Sequence, residues 1–487
     1  MSKAVAELSP IELWKNFASL NAIPRASKKE EQVIQFILDF GEKLKLETFK
    51  DSAGNVIIRK PASAGMENKV TVCLQSHLDM VHQKNGSTAF DFATQGINMF
   101  VDDDWVKARG TTLGADNGIG VASIMSVLAS ETIVHPPIEA LFTIDEETGM
   151  TGALGLKGGL LNAEILLNLD TEDDTELTIG CAGGMDVTAS GNYQTDKTAT
   201  VVNAYRVTVK GLTGGHSGMD IYKGRGNANK LMNRILLNAE KFGLRISCID
   251  GGGLRNAIPR ESFSDVAVPA ENSDSFTSYL RKEELVLKNE YQSTDPNLAI
   301  AIENIDTPDT VLDGAFQYKL LRAVSACPNG IYRMSPAING LVQTSNNIAR
   351  VLVKDGEFTV LCLTRSSVES EKTDLAQTIA GTFELAGAKT IFGGNYPGWE
   401  PKPESPIVKL MSELYKELYH QDAHVNAVHA GLECGILGTN YPDMQMISFG
   451  PNIRGAHSPD EKVQISSVQK YWPILLETLK RVPAKSK

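Results

Sequence analysis

Two histidines and several carboxylates stand where they can do chemistry together. They are His77 and Asp79 in VCLQSHLDM, Asp116 in LGADNGIG, Asp145, Glu146 and Glu147 in LFTIDEETG, Asp170 in ILLNLD, and His457 in MISFGPNIRGAHS. Imidazole mixed with carboxylate, without cysteine, is the donor set of a zinc site rather than a magnesium or copper one. Taken singly, an Asp or His at a strand end is a turn residue or a cap, and a DEE triplet is a solvated loop. Five such sites in order along one chain, each at the exit of an apolar run or the start of a helix, point to a shared centre.

The elements that must position them are legible. Four short apolar runs, 70–74, 138–144, 165–169 and 444–449, have strand length and read as buried strands of a mixed or parallel sheet. In open α/β sheets ligands bind beyond the carboxyl ends of the strands, which is where these acids and histidines fall. Residues 116–128, rich in glycine and alanine, read as a closely packed helix opening at Asp116. Ser27 and Glu30 have capping-box spacing, and Val33, Ile34, Ile37, Phe40 and Leu44 share one face of an amphipathic helix running to about Leu46.

The middle of the chain alternates differently. Residues 205–210 and 357–363 read as half-exposed antiparallel strands, with helices near 227–241 and 373–388. Proline-rich 396–403 reads as a return linker. The expected architecture is α/β, a mixed sheet covered by helices, with an inserted α+β domain. The boundaries fall at 1–190 and 396–487 for the discontinuous catalytic domain, and 191–395 for the insertion.

The chain has 487 residues, 47 basic and 59 acidic, for a net charge of −12. That balance argues against nucleic acid as partner, because a phosphate backbone requires a basic face. Six scattered cysteines without a C-x-x-C pair exclude a disulfide framework or a cysteine zinc module. No apolar run reaches membrane-spanning length, and the first residues lack a signal-peptide core, so a cytoplasmic protein is expected. Only eight histidines are available to any metal.

The motifs S-H-L-D-M at 76–80, G-A-D-N-G at 114–118, D-E-E-T-G at 145–149, L-N-L-D at 167–170 and G-x-H-S at 455–458 resemble those of the dinuclear zinc peptidases that include aminoacylases, carboxypeptidase G and cytosolic dipeptidases. The resemblance spans the whole chain, and it implies that fold, with the insertion as a lid and dimerisation domain. It also implies two Zn2+ per subunit, with Mn2+ or Co2+ as substitutes. Asp116 would bridge them, His77 and Asp170 completing one ion's ligands and Glu147 and His457 the other's. Asp79 would fix the tautomer of His77, and Glu146 would be the general base that deprotonates the attacking water and returns the proton to the leaving amine. Members also carry a cis peptide at the position of Asp116-Asn117. Aspartate at 170, rather than glutamate, matches the members whose substrates have a free amino end.

In the insertion, His216 within Gly214-Gly215-His216-Ser217-Gly218 corresponds to a histidine that reaches a partner subunit's site and steadies an oxyanion; read without the resemblance it is a loop histidine. Asn256 and Arg365 match residues that hold the substrate's carbonyl and carboxylate, although Arg365 reads equally well as an exposed strand-end charge. His429 and Glu433, in HAGLE, match a motif near the substrate pocket. The other histidines, His82, His135, His420 and His424, read as surface or satisfied residues. Glycine clusters such as 251–253 lack dinucleotide spacing and read as turns.

The resemblance therefore implies a homodimeric metallodipeptidase acting on small peptides with a free N-terminus, histidine-ended dipeptides including β-alanyl-histidine being the sharpest expectation. Two rivals are an N-acyl-amino-acid deacylase or desuccinylase of the same fold and a non-catalytic binding protein on this scaffold. The second should lack a ligand or the base, and here every expected position is filled.

Overall fold

The computed structural model describes residues 3–485, which divide into two compact units. One holds the chain up to Gly180, Trp399–Ala427 and the residues from Leu432 onward; the other holds Cys181–Gly398 and Val428–Gly431.

The first unit is built on an eight-stranded sheet, in spatial order Glu47–Lys50, Val56–Lys60, Ile138–Thr143, Val72–His77, Ile165–Asn168, Gln445–Ser448, Glu176–Cys181 and His424–Val428. The four strands read from the apolar runs are its parallel centre. Every residue of Ile138–Thr143, Val72–His77 and Ile165–Asn168 is buried, as parallel strands covered on both faces require. Their carboxyl ends therefore point the same way, which brings His77, the 145–147 turn and Asp170 to one rim.

Helix Ala115–Ala129 is buried almost all round, consistent with a sequence that has little polar face. Its glycines permit the approach: a Cβ on Gly120 would stand 2.3 Å from Ser76 Oγ and 2.7 Å from the Leu169 carbonyl oxygen. Leu13, Trp14 and Phe17 of helix Ile11–Leu20 pack against Ala115, Ile119 and Ala122 in the same cluster. The Asp116-Asn117 peptide is cis.

The expected capping box does not form. The helix begins later, as Glu31–Lys43, with no side-chain cap. Ser27 donates to the Met80 carbonyl instead, and Lys28 adopts a left-handed backbone. The helix stops before Leu46 because Lys45 also turns left-handed and Glu47–Lys50 enters the sheet.

The second unit carries a sheet ordered Ala299–Ile305, Val202–Lys210, Ser262–Pro269, Arg245–Gly252, Val342–Lys354, Glu357–Ser366, Gly183–Asn192 and Lys389–Tyr396, with Gly330–Met334 added beside Val342–Lys354. All its pairings are antiparallel. Helices Ala228–Ala239, Ser273–Glu290, Gly314–Ala326 and Glu369–Glu384 share its core. Asn227 caps the first of these, accepting the N–H groups of Asn229 and Lys230. The expected helix at 373–388 lies at Glu369–Glu384, ending ahead of the left-handed Gly387.

The units meet at Gly180–Cys181, upstream of the boundary at 190 drawn from sequence. Strand Gly183–Asn192 pairs along its length with Glu357–Ser366, from Gly183 opposite Ser366 to Asn192 opposite Glu357, and so is tied to the second sheet. Residues 428–431 also belong there, the Ala182 N–H donating to the Val428 and Ala430 carbonyls.

Candidate metal centre

His77 is the last residue of its strand and is buried. Its Nε2 lies 3.1 Å from Asp116 Oδ1 and 3.5 Å from Asp170 Oδ1. On the other side of Asp116, Oδ2 lies 3.2 Å from His457 Nε2, which is also 3.0 Å from Glu147 Oε2. One carboxylate thus divides its two oxygens between two imidazoles. Three groups of ligand atoms come within 4.8 Å of one another: His77, Asp116 and Asp170; His77, Glu146 and Glu147; and Asp116, Glu147 and His457. The six residues singled out for metal and base roles are therefore brought together.

The electrostatics are those of crowded acids. Burial pushes the Glu146 carboxyl well above the usual carboxylate range; Asp170, Glu433 and Glu147 add to this, and His77 opposes it. Glu147 is raised mainly by burial as well. His457 is pushed up to about 11 by its hydrogen bonds to Asp116 and Glu147. Burial works against protonation of His77, yet Asp170 and Asp116 hold it well above its ordinary value.

A cation fits this set. The enclosed Glu147 Oε1 has no hydrogen-bond partner, and the half-buried carboxylates face imidazoles whose protons an ion would replace. Asn117 donates through Nδ2 to Asp170 Oδ1, orienting that carboxylate.

Asp79 does more than the sequence suggested. Its Oδ1 is 3.4 Å from His77 Nδ1, which is closer, at 3.1 Å, to the Asp79 carbonyl oxygen. Oδ1 also accepts the Glu146 N–H and Oδ2 the Glu147 N–H. Asp145 is a turn residue: its backbone is left-handed, and its carboxylate accepts from Thr148 and Thr151. The triplet thus splits into one structural acid and two that point into the site.

Sequence reasoning missed two residues. Arg25 is buried and donates to the carbonyls of Leu78, Asp79 and Gly114 and to Asn21 Oδ1. Burial lowers it to about 10, with Glu461, Asp79 and Asp116 pulling the other way. Glu461, also buried, accepts the N–H groups of four successive residues, 113–116. Neither has a local signal; a charge becomes conspicuous only once the fold buries it.

Glu433 opens helix Glu433–Asn440 and is buried. Its Oε2 accepts from Gln75 Nε2 at 2.6 Å and Thr143 Oγ1 at 2.7 Å, and burial pushes its carboxyl up to about 7. It is thus enclosed beneath the strand ends rather than presented as a substrate contact.

The remaining candidates lie in the second unit. His216 Nδ1 accepts the N–H groups of Gly218 and Met219, so its proton resides on Nε2, the form of a hydrogen-bond donor. Burial, with Arg365 adding, lowers its pKa and keeps it neutral. Arg365 is buried rather than an exposed charge; it donates to Tyr396 Oη at 2.7 Å while its Nε has no partner. His429 is buried and bonds Ser345 Oγ at 2.7 Å. A Cβ on Gly218 would meet the His429 carbonyl at 2.2 Å, Arg365 Nε at 3.2 Å and His216 Cε1 at 3.2 Å, so these three converge on one glycine. Asn256 is exposed in its loop, whose backbone carbonyl accepts the Ser217 N–H.

Of the other histidines, His135 is buried and satisfied by the Pro136 carbonyl, His82 packs edge-on to Phe92, His420 ends helix Pro406–Tyr419, and His424 is exposed.

Residues 73–481, which include the six clustered residues, match the model of peptidase family M20/M25/M40. The chain belongs to that family. It is 44% identical over 482 residues to the cytosol non-specific dipeptidase of Escherichia coli (strain K12), covering 99% of both chains. The crystal structure of the aminoacylhistidine dipeptidase from Vibrio alginolyticus matches all of both chains, with 44% identity and a TM-score of 0.94. An aminopeptidase from Bacillus cereus, 15% identical over 98% of this chain and 99% of its own with a TM-score of 0.57, shares the M20-family fold. The α/β fold class and family read from the motifs are thereby confirmed. Among the described residues no helix is long and apolar enough to cross a membrane.

Proposed function

We propose that the chain is a metal-dependent dipeptidase acting on dipeptides with a free N-terminus, Xaa-His dipeptides such as β-alanyl-histidine among them. The observation that carries this reading is the divided carboxylate of Asp116, one oxygen toward His77 and the other toward His457. Similarity over the entire length to two proteins named as dipeptidases supports the substrate class.

Asp116 would be shared by two zinc ions, with His77 and Asp170 on one side and Glu147 and His457 on the other. Manganese and cobalt suit the same donors. A divalent pair in such a site polarises a carbonyl and makes a water a nucleophile near neutral pH. Glu146 takes the proton of the attacking water and passes it to the departing amine. Burial raises its carboxyl above the usual carboxylate range, which makes it a better proton acceptor than an ordinary glutamate. Asp79 fixes the backbone from which Glu146 and Glu147 project.

His216, carrying its donor proton on Nε2, is suited to steady a developing oxyanion. In this reading the enzyme is a cytoplasmic homodimer through the second unit, and the partner subunit's His216 serves the reaction. Arg365 and Asn256 hold the peptide's carboxylate and carbonyl, and His429 lies near the same substrate pocket.

Metal analysis alongside a substrate panel tests the proposal. Two equivalents of metal, hydrolysis of β-alanyl-histidine and ordinary dipeptides, and no action on acetyl-amino acids are expected. Hydrolysis of acetyl-amino acids without hydrolysis of dipeptides would replace the reading with that of a deacylase.

A further inference from the structure

Glu461 ends the loop 455–461 that also carries His457. The strands on either side of that loop pair antiparallel, Ile453 opposite Val463 and Arg454 opposite Lys462, so the loop is a closed hairpin. From its end, Glu461 Oε2 accepts the N–H groups of Leu113 at 2.7 Å and Gly114 at 2.9 Å, and Oε1 those of Ala115 at 2.7 Å and Asp116 at 3.2 Å. Successive N–H groups turned onto one carboxylate form an anion-binding nest. Here the anion is the protein's own side chain. From the other face, Arg25 donates to the Gly114 carbonyl and to those of Leu78 and Asp79. At its tip the same hairpin sends His457 Nε2 to Asp116 Oδ2 and Glu147 Oε2.

The hairpin therefore holds Asp116 twice, by its backbone through Glu461 and by its carboxylate through His457. We propose that Glu461 is a positioning residue that fixes Asp116 and His457 relative to each other, so that the Asp116, Glu147 and His457 group can hold its metal ion. The inference rests on the reading that these groups bind divalent cations. A carboxylate suits the task because all four facing groups donate; an amide would turn its own N–H groups on two of them.

The test uses the full-length chain stripped of metal and titrated with Co2+, followed by its absorption spectrum, and with Zn2+ in competition with a chromophoric chelator. The wild type should take two ions. In E461Q the affinity for one of the two ions should fall 10- to 100-fold, the range for residues that orient ligands, and the Co2+ absorption of that site should change. E461D, which keeps the charge but is one methylene shorter, should show a smaller loss in the same ion; it also carries the test if E461Q does not fold. E139Q is the control. Glu139 is likewise buried and accepts two backbone N–H groups, those of Asn162 and Ala163, but at the opposite end of its strand from the acids. It should leave both affinities unchanged.

Wild-type affinities and spectrum in folded E461Q or E461D would overturn the proposal, as would an equal loss in E139Q. A wild type that binds no divalent ion would instead overturn the proposed function, and this inference with it.

Discussion

The carboxylate of Asp79 accepts the backbone N–H of Glu146 at 3.0 Å. Its second oxygen accepts that of Glu147 at 3.3 Å, so one side chain two residues past His77 fixes the direction in which both glutamates leave the next strand. Burial works against ionisation here, but His77, Ser27 and the Glu146 N–H together hold the Asp79 carboxyl below the usual range, which keeps it an acceptor. This contact couples the exits of two neighbouring parallel strands, and through them His77 and Glu146, the proposed metal ligand and base.

D79N should therefore lower kcat/KM by about 10- to 100-fold, the range for residues that orient ligands. An amide can place its nitrogen against one of the two N–H donors or against His77, and either choice repels. Circular dichroism should remain that of the wild type. Wild-type kcat/KM would show that the turn holds its geometry unaided.

Chelation should both silence and destabilise the protein. Half-buried Asp116, Glu147 and Asp170 stand close together, and a cation that binds only the folded form stabilises it by about 4 kcal/mol at a thousandfold excess over Kd. Stripping the metal with EDTA is expected to abolish dipeptide hydrolysis and lower Tm by several degrees, with Zn2+ restoring both. An unchanged Tm would mean that the acids are balanced without an ion.

His429 supplies a pH dependence of its own. Burial, with Arg365 and His216 nearby, lowers its pKa to about 3, while Ser345 and the Val342 backbone bond the ring. The sign follows from proton uptake. Below about 6.5 the unfolded chain protonates this histidine and the native one does not until about 3, so stability falls as pH falls. The slope approaches about 1.4 kcal/mol per pH unit in that window. In metal-free protein, H429Q should be less stable than wild type at pH 7, by about 1 kcal/mol for the altered hydrogen bond, and the gap should close or reverse by pH 4.5. Urea unfolding at both values reads this directly; a constant gap would mean that His429 takes up its proton at the same pH in the native and unfolded chains.

Much of the first unit was legible because its signals are local. The apolar runs at 138–144 and 165–169 became strands Ile138–Thr143 and Ile165–Asn168, since burial on both faces leaves no polar alternation to mislead. The six clustered residues were legible for the same reason, each sitting at or after the end of a strand or in the first turn of a helix. What stayed hidden is long-range. Glu461 reaches back more than three hundred positions to Leu113, and Arg25 bonds Gly114 across 89. Ser27 and Glu30 had the spacing of a cap, yet the Met80 carbonyl took the serine and the helix started elsewhere. Arg365 read equally as a carboxylate holder or an exposed strand-end charge because strand alternation does not reveal which face a neighbouring layer will cover.

The sharpest test concerns Glu146. Its backbone is fixed by Asp79, its carboxyl is raised by burial, and its ligand atoms lie within 4.8 Å of those of His77 and Glu147. The adjacent glutamates invite the objection that their roles are exchanged, but Glu147 rather than Glu146 makes the 3.0 Å approach to His457. E146Q should then keep its metal while kcat falls by about 10²- to 10⁴-fold, the contribution of a positioned base. E147Q should lose metal affinity first and activity as a consequence, recoverable in part at high Zn2+. Metal content by mass spectrometry, measured beside kcat for both variants, separates the two. Loss of metal in E146Q with full metal in E147Q would reverse the assignment.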